Sequence, residues 1–132
     1  MKRIVISGSR QFNDYEYLLK KFNFITSEIP FDTIEIITGG ARGTDKLGER
    51  FAEEHNIKLT LFPAEWSKYG FAAGPVRNKQ MAVYAKEAYS ILCAFWNGKS
   101  KGTLNMIEAA ISTGFDEIHV YKVDALDDDE EE

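Results

Sequence analysis

Three glycine-rich stretches of this sequence combine hydroxyl, carboxyl and cationic side chains in patterns suited to holding an anion: 7-SGSR-10, 39-GGARGTD-45 and 96-WNGKSKGT-103. Glycine permits positive φ and lets backbone N–H groups approach a ligand closely. A helix starting just behind such a loop adds the partial positive charge of its first turn. Gly8, Ser9 and Arg10 make the first loop. In the second, Gly39, Gly40 and Gly43 allow a tight turn, and Thr44 or Asp45 caps the helix behind it. The third runs from Trp96 and Asn97 to Ser100, Gly102 and Thr103, with Lys99 and Lys101 as added charge or as solvated loop cations. A turn needs only Asn97 and Gly98. The further serine, glycine and threonine at a helix mouth are what a phosphate requires. None of the three is a Walker A motif or a G-x-G-x-x-G fingerprint, and a single loop of this kind is more often a turn than a ligand site.

A fourth stretch, 74-GPVRN-78, places Arg77 and Asn78 behind a Gly-Pro helix entry. Arg77 is expected within the first helical turn, where a cation opposes the helix dipole. Pairing with a ligand phosphate or with Asp45 would explain it; an accidental surface cation is the alternative. Trp66, Tyr69 and Phe71, just upstream, suit either stacking on a base or packing over a sheet edge. Asp45 and Glu49 lie one helical turn apart and are the carboxylates available for acid–base work, should the chain be an enzyme.

The elements that must position these residues follow from hydrophobic periodicity. Strands are predicted at 4–6, 33–38, 57–62, 91–95 and 117–121. Between them lie helices at about 14–29, ended by Pro30, then from Thr44 to about His55, at 75–86 and at 103–112, the last capped by Gly114. The segment 64–78 is unusually long and irregular for a connection. Strands alternating with helices predict an α/β fold: an open parallel sheet of about five strands with helices on both faces. Strands as continuously apolar as 91-ILCAF-95 agree, since both their faces are covered. The three glycine loops follow the first, second and fourth strands, so all should lie on the carboxyl edge, where such sheets bind ligands.

Composition narrows the function. At 132 residues and 44% hydrophobic, the chain fits one domain, residues 1–123, with a disordered acidic tail at 124–132. That tail holds seven of the 21 acidic residues, leaving 14 against 16 bases, so the body is nearly neutral. Without a basic stripe, nucleic acid is not an expected partner. One cysteine, Cys93, excludes an intrachain disulfide, and the isolated His55 and His119 suggest no metal site. No cofactor is expected. No run approaches a membrane span and no signal peptide is evident, which predicts a cytoplasmic protein without membrane contact.

Taken together, 6-ISGSR-10, 38-TGGARGTD-45, 74-GPVRN-78 and 94-AFWNGKSKGT-103 resemble the YspA-type branch of the SLOG superfamily, over about residues 2–121. That superfamily of Rossmann-like proteins includes the "lonely guy" phosphoribohydrolases and the DNA-processing protein DprA. The resemblance implies a single Rossmann-like domain binding a nucleotide or nucleotide derivative, often proposed to be ADP-ribose-like. It also implies, for some branches, a sensor role in phage–host conflict, and frequent homodimers. The phosphoribohydrolases carry P-G-G-x-G-T-x-x-E in the loop after the fourth strand; here 98-GKSKGTLNM-106 places Met106 where the catalytic glutamate would stand. Their M-x-x-R-K arginine matches Arg77. The leading expectation is therefore a nucleotide-binding module, sensing or sequestering its ligand. An N-glycosidic hydrolase using Asp45 or Glu49 comes second, and a DprA-like DNA-binding protein third.

Overall fold

The computed structural model describes residues 1–125; most of the acidic tail, 126–132, lies outside the described residues. Ten elements follow in order: β1 (Lys2–Gly8), α1 (Tyr15–Ile25), β2 (Ile34–Thr38), α2 (Thr44–Glu54), β3 (Lys58–Leu61), α3 (Trp66–Tyr69), α4 (Ala73–Lys86), β4 (Tyr89–Trp96), α5 (Lys101–Thr113) and β5 (Glu117–Lys122). Short 3₁₀ turns fill Phe31–Thr33 and Gly70–Ala72. All strand pairs are parallel and the strand order is β3-β2-β1-β4-β5. β1 is central, with Ile4 in register between Ile36 and Ile91.

Side-chain alternation along the strands divides the core in two. Ile4, Ile6, Ile36, Ile91, Cys93 and Phe95 face one way and pack under Leu18 and Phe22 of α1 and Phe51 and Ala52 of α2. Val5, Ile37, Leu92 and Ala94 face the other way, against Met81, Ala82 and Ala85 of α4 and Met106, Ile107 and Ala110 of α5. Burying each of Phe22, Phe51 and Phe95 completely stabilises the fold by about 2–3 kcal/mol before entropy is counted. Cys93 is fully buried among them, and burial raises its thiol pKa, so it is an inert packing group. After β3 the chain crosses β1 and adds β4 on the far side. Strand order therefore reverses between β1 and β4, and the crevice for a ligand opens at their carboxyl ends.

Three helix boundaries differ by two residues or more from those predicted. α1 ends at Ile25, four residues early, with Thr26 as its cap: the Thr26 hydroxyl bonds at 2.9 Å to the same Phe22 carbonyl that accepts its helical N–H at 3.0 Å. Pro30 then opens a 3₁₀ turn. α4 begins at Ala73, so Gly74 and Pro75 lie inside its first turn and Arg77 falls in the second. The long connection before it is largely helical, being made of α3 and the turn behind it. α5 begins at Lys101, two residues early, since Ser100 caps it by accepting from the Thr103 N–H. Among the described residues no helix is long and apolar enough to cross a membrane, and no cluster of metal-ligating side chains occurs.

Ala125 packs against the α1/α2 side of the core, and its carbonyl accepts from Asn97 Nδ2 at 3.4 Å. The acidic run is thus better cut after Ala125 than before Asp124. Removing residues 126–132 is expected to leave the melting temperature within about 2 °C of the full chain, since they add charge and only one apolar side chain. A larger drop in a thermal melt would contradict this.

Candidate functional site

The ends of β1, β2 and β4 and the beginnings of α2, α4 and α5 surround one cleft of about 500 Å³. Its wall includes Gly8 and Arg10 from the first loop and Asp45 from the second. Arg77 and Asn78 of α4 contribute, as do Ser100, Gly102 and Thr103 at the mouth of α5. The convergence on one edge expected of the three glycine loops is what the sheet topology produces.

The first two loops lock together. The Ser9 carbonyl accepts from both the N–H and the hydroxyl of Thr44, at 3.2 and 2.9 Å, while the Ser9 N–H donates to the Phe95 carbonyl at 3.0 Å. Gly43, at φ +77°, leaves no room for a side chain: a Cβ would lie 2.5 Å from the Arg10 carbonyl oxygen. Ser9, Gly43 and Thr44 are therefore joints of the wall and do not line the cleft.

The second loop holds an anion, but one of the protein's own. The N–H groups of Gly39 and Ala41 donate to Asp45 Oδ2 at 3.0 and 3.3 Å, and that of Gly40 donates to the Thr38 hydroxyl. Asp45 is 6% exposed yet lines the cleft. Burial pushes its carboxyl up to about 7; the Arg77 guanidinium and the two loop amides pull it down less, and Glu49 adds to the rise. Glu49 itself accepts from the Thr38 hydroxyl at 3.1 Å, pairs with Lys46 at 3.3 Å and does not line the cleft.

A carboxyl whose folded value exceeds its unfolded value stabilises the fold fully below about pH 4, and loses that contribution as pH rises through about 7. Asp45→Asn keeps the oxygen that the loop amides need but cannot ionise. From pH 5 to pH 8 the wild type is therefore expected to lose about 2.5 kcal/mol relative to Asp45→Asn, because each pH step of one between the unfolded and folded values contributes about 1.4 kcal/mol and about two such steps lie between pH 5 and the folded value. Urea denaturation at several pH values measures it, and parallel curves for the two proteins would contradict it.

Arg77 spans the second and fourth stretches. Its Nη1 donates to the Gly39 carbonyl at 2.8 Å and to the Phe62 carbonyl at 3.3 Å, tying the ends of β2 and β3 to α4. Its Nε donates to Asn78 Oδ1 at 2.9 Å, and Nη2 has no partner among the described residues. Burial lowers the guanidinium pKa, with Asp45 opposing. Asn78 continues the chain, its Nδ2 donating to the Gly102 carbonyl at 3.3 Å and to Asn105 Oδ1 at 2.9 Å.

At the third loop Asn97 Oδ1 accepts from the N–H groups of Lys99 and Ser100, and Trp96 Nε1 donates to the Ser100 carbonyl. Trp96 and Asn97 shape the turn but are not in the cleft wall. A Cβ on Gly102 would meet nothing within 4 Å, and the Gly102 N–H has no partner among the described residues. Met106 is fully buried in the core beneath α5, and the exposed Glu108 does not line the cleft.

Ser7, Ala41, Arg42, Trp66, Gly74 and Lys101 also line it, beyond the residues assigned to the site from sequence. The signal for Arg42 was its place between the glycines and the start of α2. Trp66 is 60% exposed and Phe71 fully exposed, so these aromatics do not pack over the sheet edge. Among the described residues, Arg10, Arg42, Arg77 and Lys101 bring four cations to the wall and Asp45 one acid.

The YspA, cpYpsA-related SLOG family matches residues 2–69. The chain belongs to that family. Membership brings a nucleotide-related binding or processing role. The matched span holds the first two loops, whereas Arg77 and the mouth of α5 follow it. Among curated proteins the chain is similar to the Gene 61 protein of Mycobacterium phage D29, 29% identical across 86% of this chain and 92% of that protein. No solved structure matches it significantly.

Proposed function

We propose that this SLOG-family chain binds a nucleotide or nucleotide derivative of the ADP-ribose type, as a sensing or sequestering module. The observation that carries this reading is the four-cation wall at the strand-order switch point, with the α5 amino end opening into the same cleft. Phosphate oxygens would take the Gly102 N–H, Lys101 and the open side of Arg77, and Trp66 at the rim would take the base. A relative encoded by a phage fits a module that captures such a molecule.

One observation favours a second reading, an N-glycosidic hydrolase. Asp45 lines the cleft and titrates near neutrality, as a general acid or base must. Against it, Glu49 is turned away and Met106 is core, so a second carboxylate is missing from the wall.

Isothermal titration against ADP-ribose, AMP and NAD, with chromatography of the same mixtures, tests both readings. Saturable binding with the ligand recovered intact is expected. Turnover would establish the enzyme, and no binding by any of the three would overturn the proposal. Arg77→Ala is expected to weaken binding by about 1.5–3 kcal/mol, the range for a hydrogen bond to a charged group. Unchanged affinity would assign Arg77 to the scaffold alone.

A further inference from the structure

Asp45 is a misfit in a cleft built only for phosphate. Both loop amides that hold its carboxylate use one oxygen, Oδ2. The other, Oδ1, accepts from no group among the described residues. No side-chain oxygen among them is both fully buried and unpartnered, so Oδ1 is open, and the space it opens to is the cleft. An acceptor on a residue only 6% exposed, facing an anion site, repels the anion unless the ligand brings a donor to it.

We infer that Asp45 reads a ribose hydroxyl, so that the cleft selects a ribonucleotide carrying free sugar hydroxyls over its deoxy counterpart or a bare phosphate. The inference rests on the nucleotide-binding reading above and adds the group that gives it specificity. The geometry favours the sugar over the base. Asp45 is linked to the mouth of α5 by a short chain of contacts: Gly39 holds Oδ2, Arg77 holds the Gly39 carbonyl, Asn78 holds Arg77, and Asn78 also holds the Gly102 carbonyl. Asp45, Gly102 and Trp66 line one cleft, and the sugar is the part of a nucleotide next to its phosphate, so a phosphate on Gly102 brings the pentose to Asp45 before the base, which is left to Trp66. Ser7, next to the end of β1, lines the same cleft.

Asp45→Asn is the informative variant. Its carbonyl oxygen still accepts from Gly39 and Ala41, so the loop is kept, but an amide donor replaces the open acceptor. Titrations of wild type and variant use AMP, 2′,3′-dideoxy-AMP, IMP and inorganic phosphate, with a thermal melt to show that the variant is folded. The expected result is that wild type binds AMP at least about tenfold more tightly than dideoxy-AMP, a ratio set by one hydrogen bond to a charged group. Asp45→Asn is expected to bring that ratio to near one and to bind inorganic phosphate no more weakly than wild type does, with IMP equal to AMP in both proteins. Equal binding of AMP and dideoxy-AMP by wild type would overturn the inference while leaving nucleotide binding intact. So would a loss on going from AMP to IMP that Asp45→Asn abolishes, which would assign the donor to the base. Failure of wild type to bind AMP, IMP and dideoxy-AMP alike would remove the nucleotide reading itself, and this inference with it.

Discussion

Gly102→Val is expected to weaken ligand binding at least about 100-fold, near 3 kcal/mol, while the melting temperature stays within about 2 °C. A Cβ at this position meets no protein atom within 4 Å, so the fold has room for the side chain. Gly102 is the second residue of α5, where valine disturbs no helical hydrogen bond. The open space is the cleft itself, and the added methyls would stand on the N–H group meant for the phosphate. Titration calorimetry of both proteins against ADP-ribose and AMP, paired with thermal melts, separates binding from folding. A variant that binds as wild type does would reduce 96-WNGKSKGT-103 to a turn.

Gly39→Ala is expected to have the largest effect on stability, a loss of about 2–4 kcal/mol. A Cβ here would lie 1.9 Å from Arg77 Nη1 and 2.5 Å from its Cζ. The guanidinium must then leave the Gly39 and Phe62 carbonyls, and Asp45 loses the cation that offsets part of its burial. Gly40→Ala is the control. A Cβ at Gly40 meets nothing, so its positive φ alone costs about 1 kcal/mol. Chemical denaturation of both variants measures the difference, and adding Arg77→Ala to Gly39→Ala should cost little more, because the clashing group is gone. Equal losses in the two glycine variants would contradict the account of Arg77.

What the sequence revealed about this site, and what it hid, divides along a physical line. The parallel sheet and the convergence of the loops follow from chain-level rules: continuous apolar strands and long crossovers; the strand order was not read from the sequence. The direction of a loop amide does not follow from such rules. From 38-TGGARGTD-45 the glycines read as an anion cradle, and they are one, but the anion in it is Asp45, six residues on from Gly39. Arg77 was legible as a cation with an unusual place; its two carbonyl partners are the residues just after β2 and just after β3, and no local pattern names them. Glu35 makes the same point at the opposite sheet edge. Within 33-TIEIIT-38 it reads as one polar residue in a strand, yet it is fully buried. Burial tends to raise its pKa, but hydrogen bonds from Thr60 and Tyr84, with Lys58 and Arg3 nearby, hold the carboxyl below its ordinary range.

Native mass spectrometry of freshly purified wild type and Gly102→Val, followed by denaturation and identification of what is released, tests the central claim most directly. Wild type is predicted to carry an added mass that leaves as an intact phosphorylated ribonucleoside derivative, or to acquire one when ADP-ribose or AMP is supplied, and Gly102→Val to carry none. The same adduct on both proteins, or no nucleotide retained by wild type under either condition, would contradict a phosphate seat at the mouth of α5.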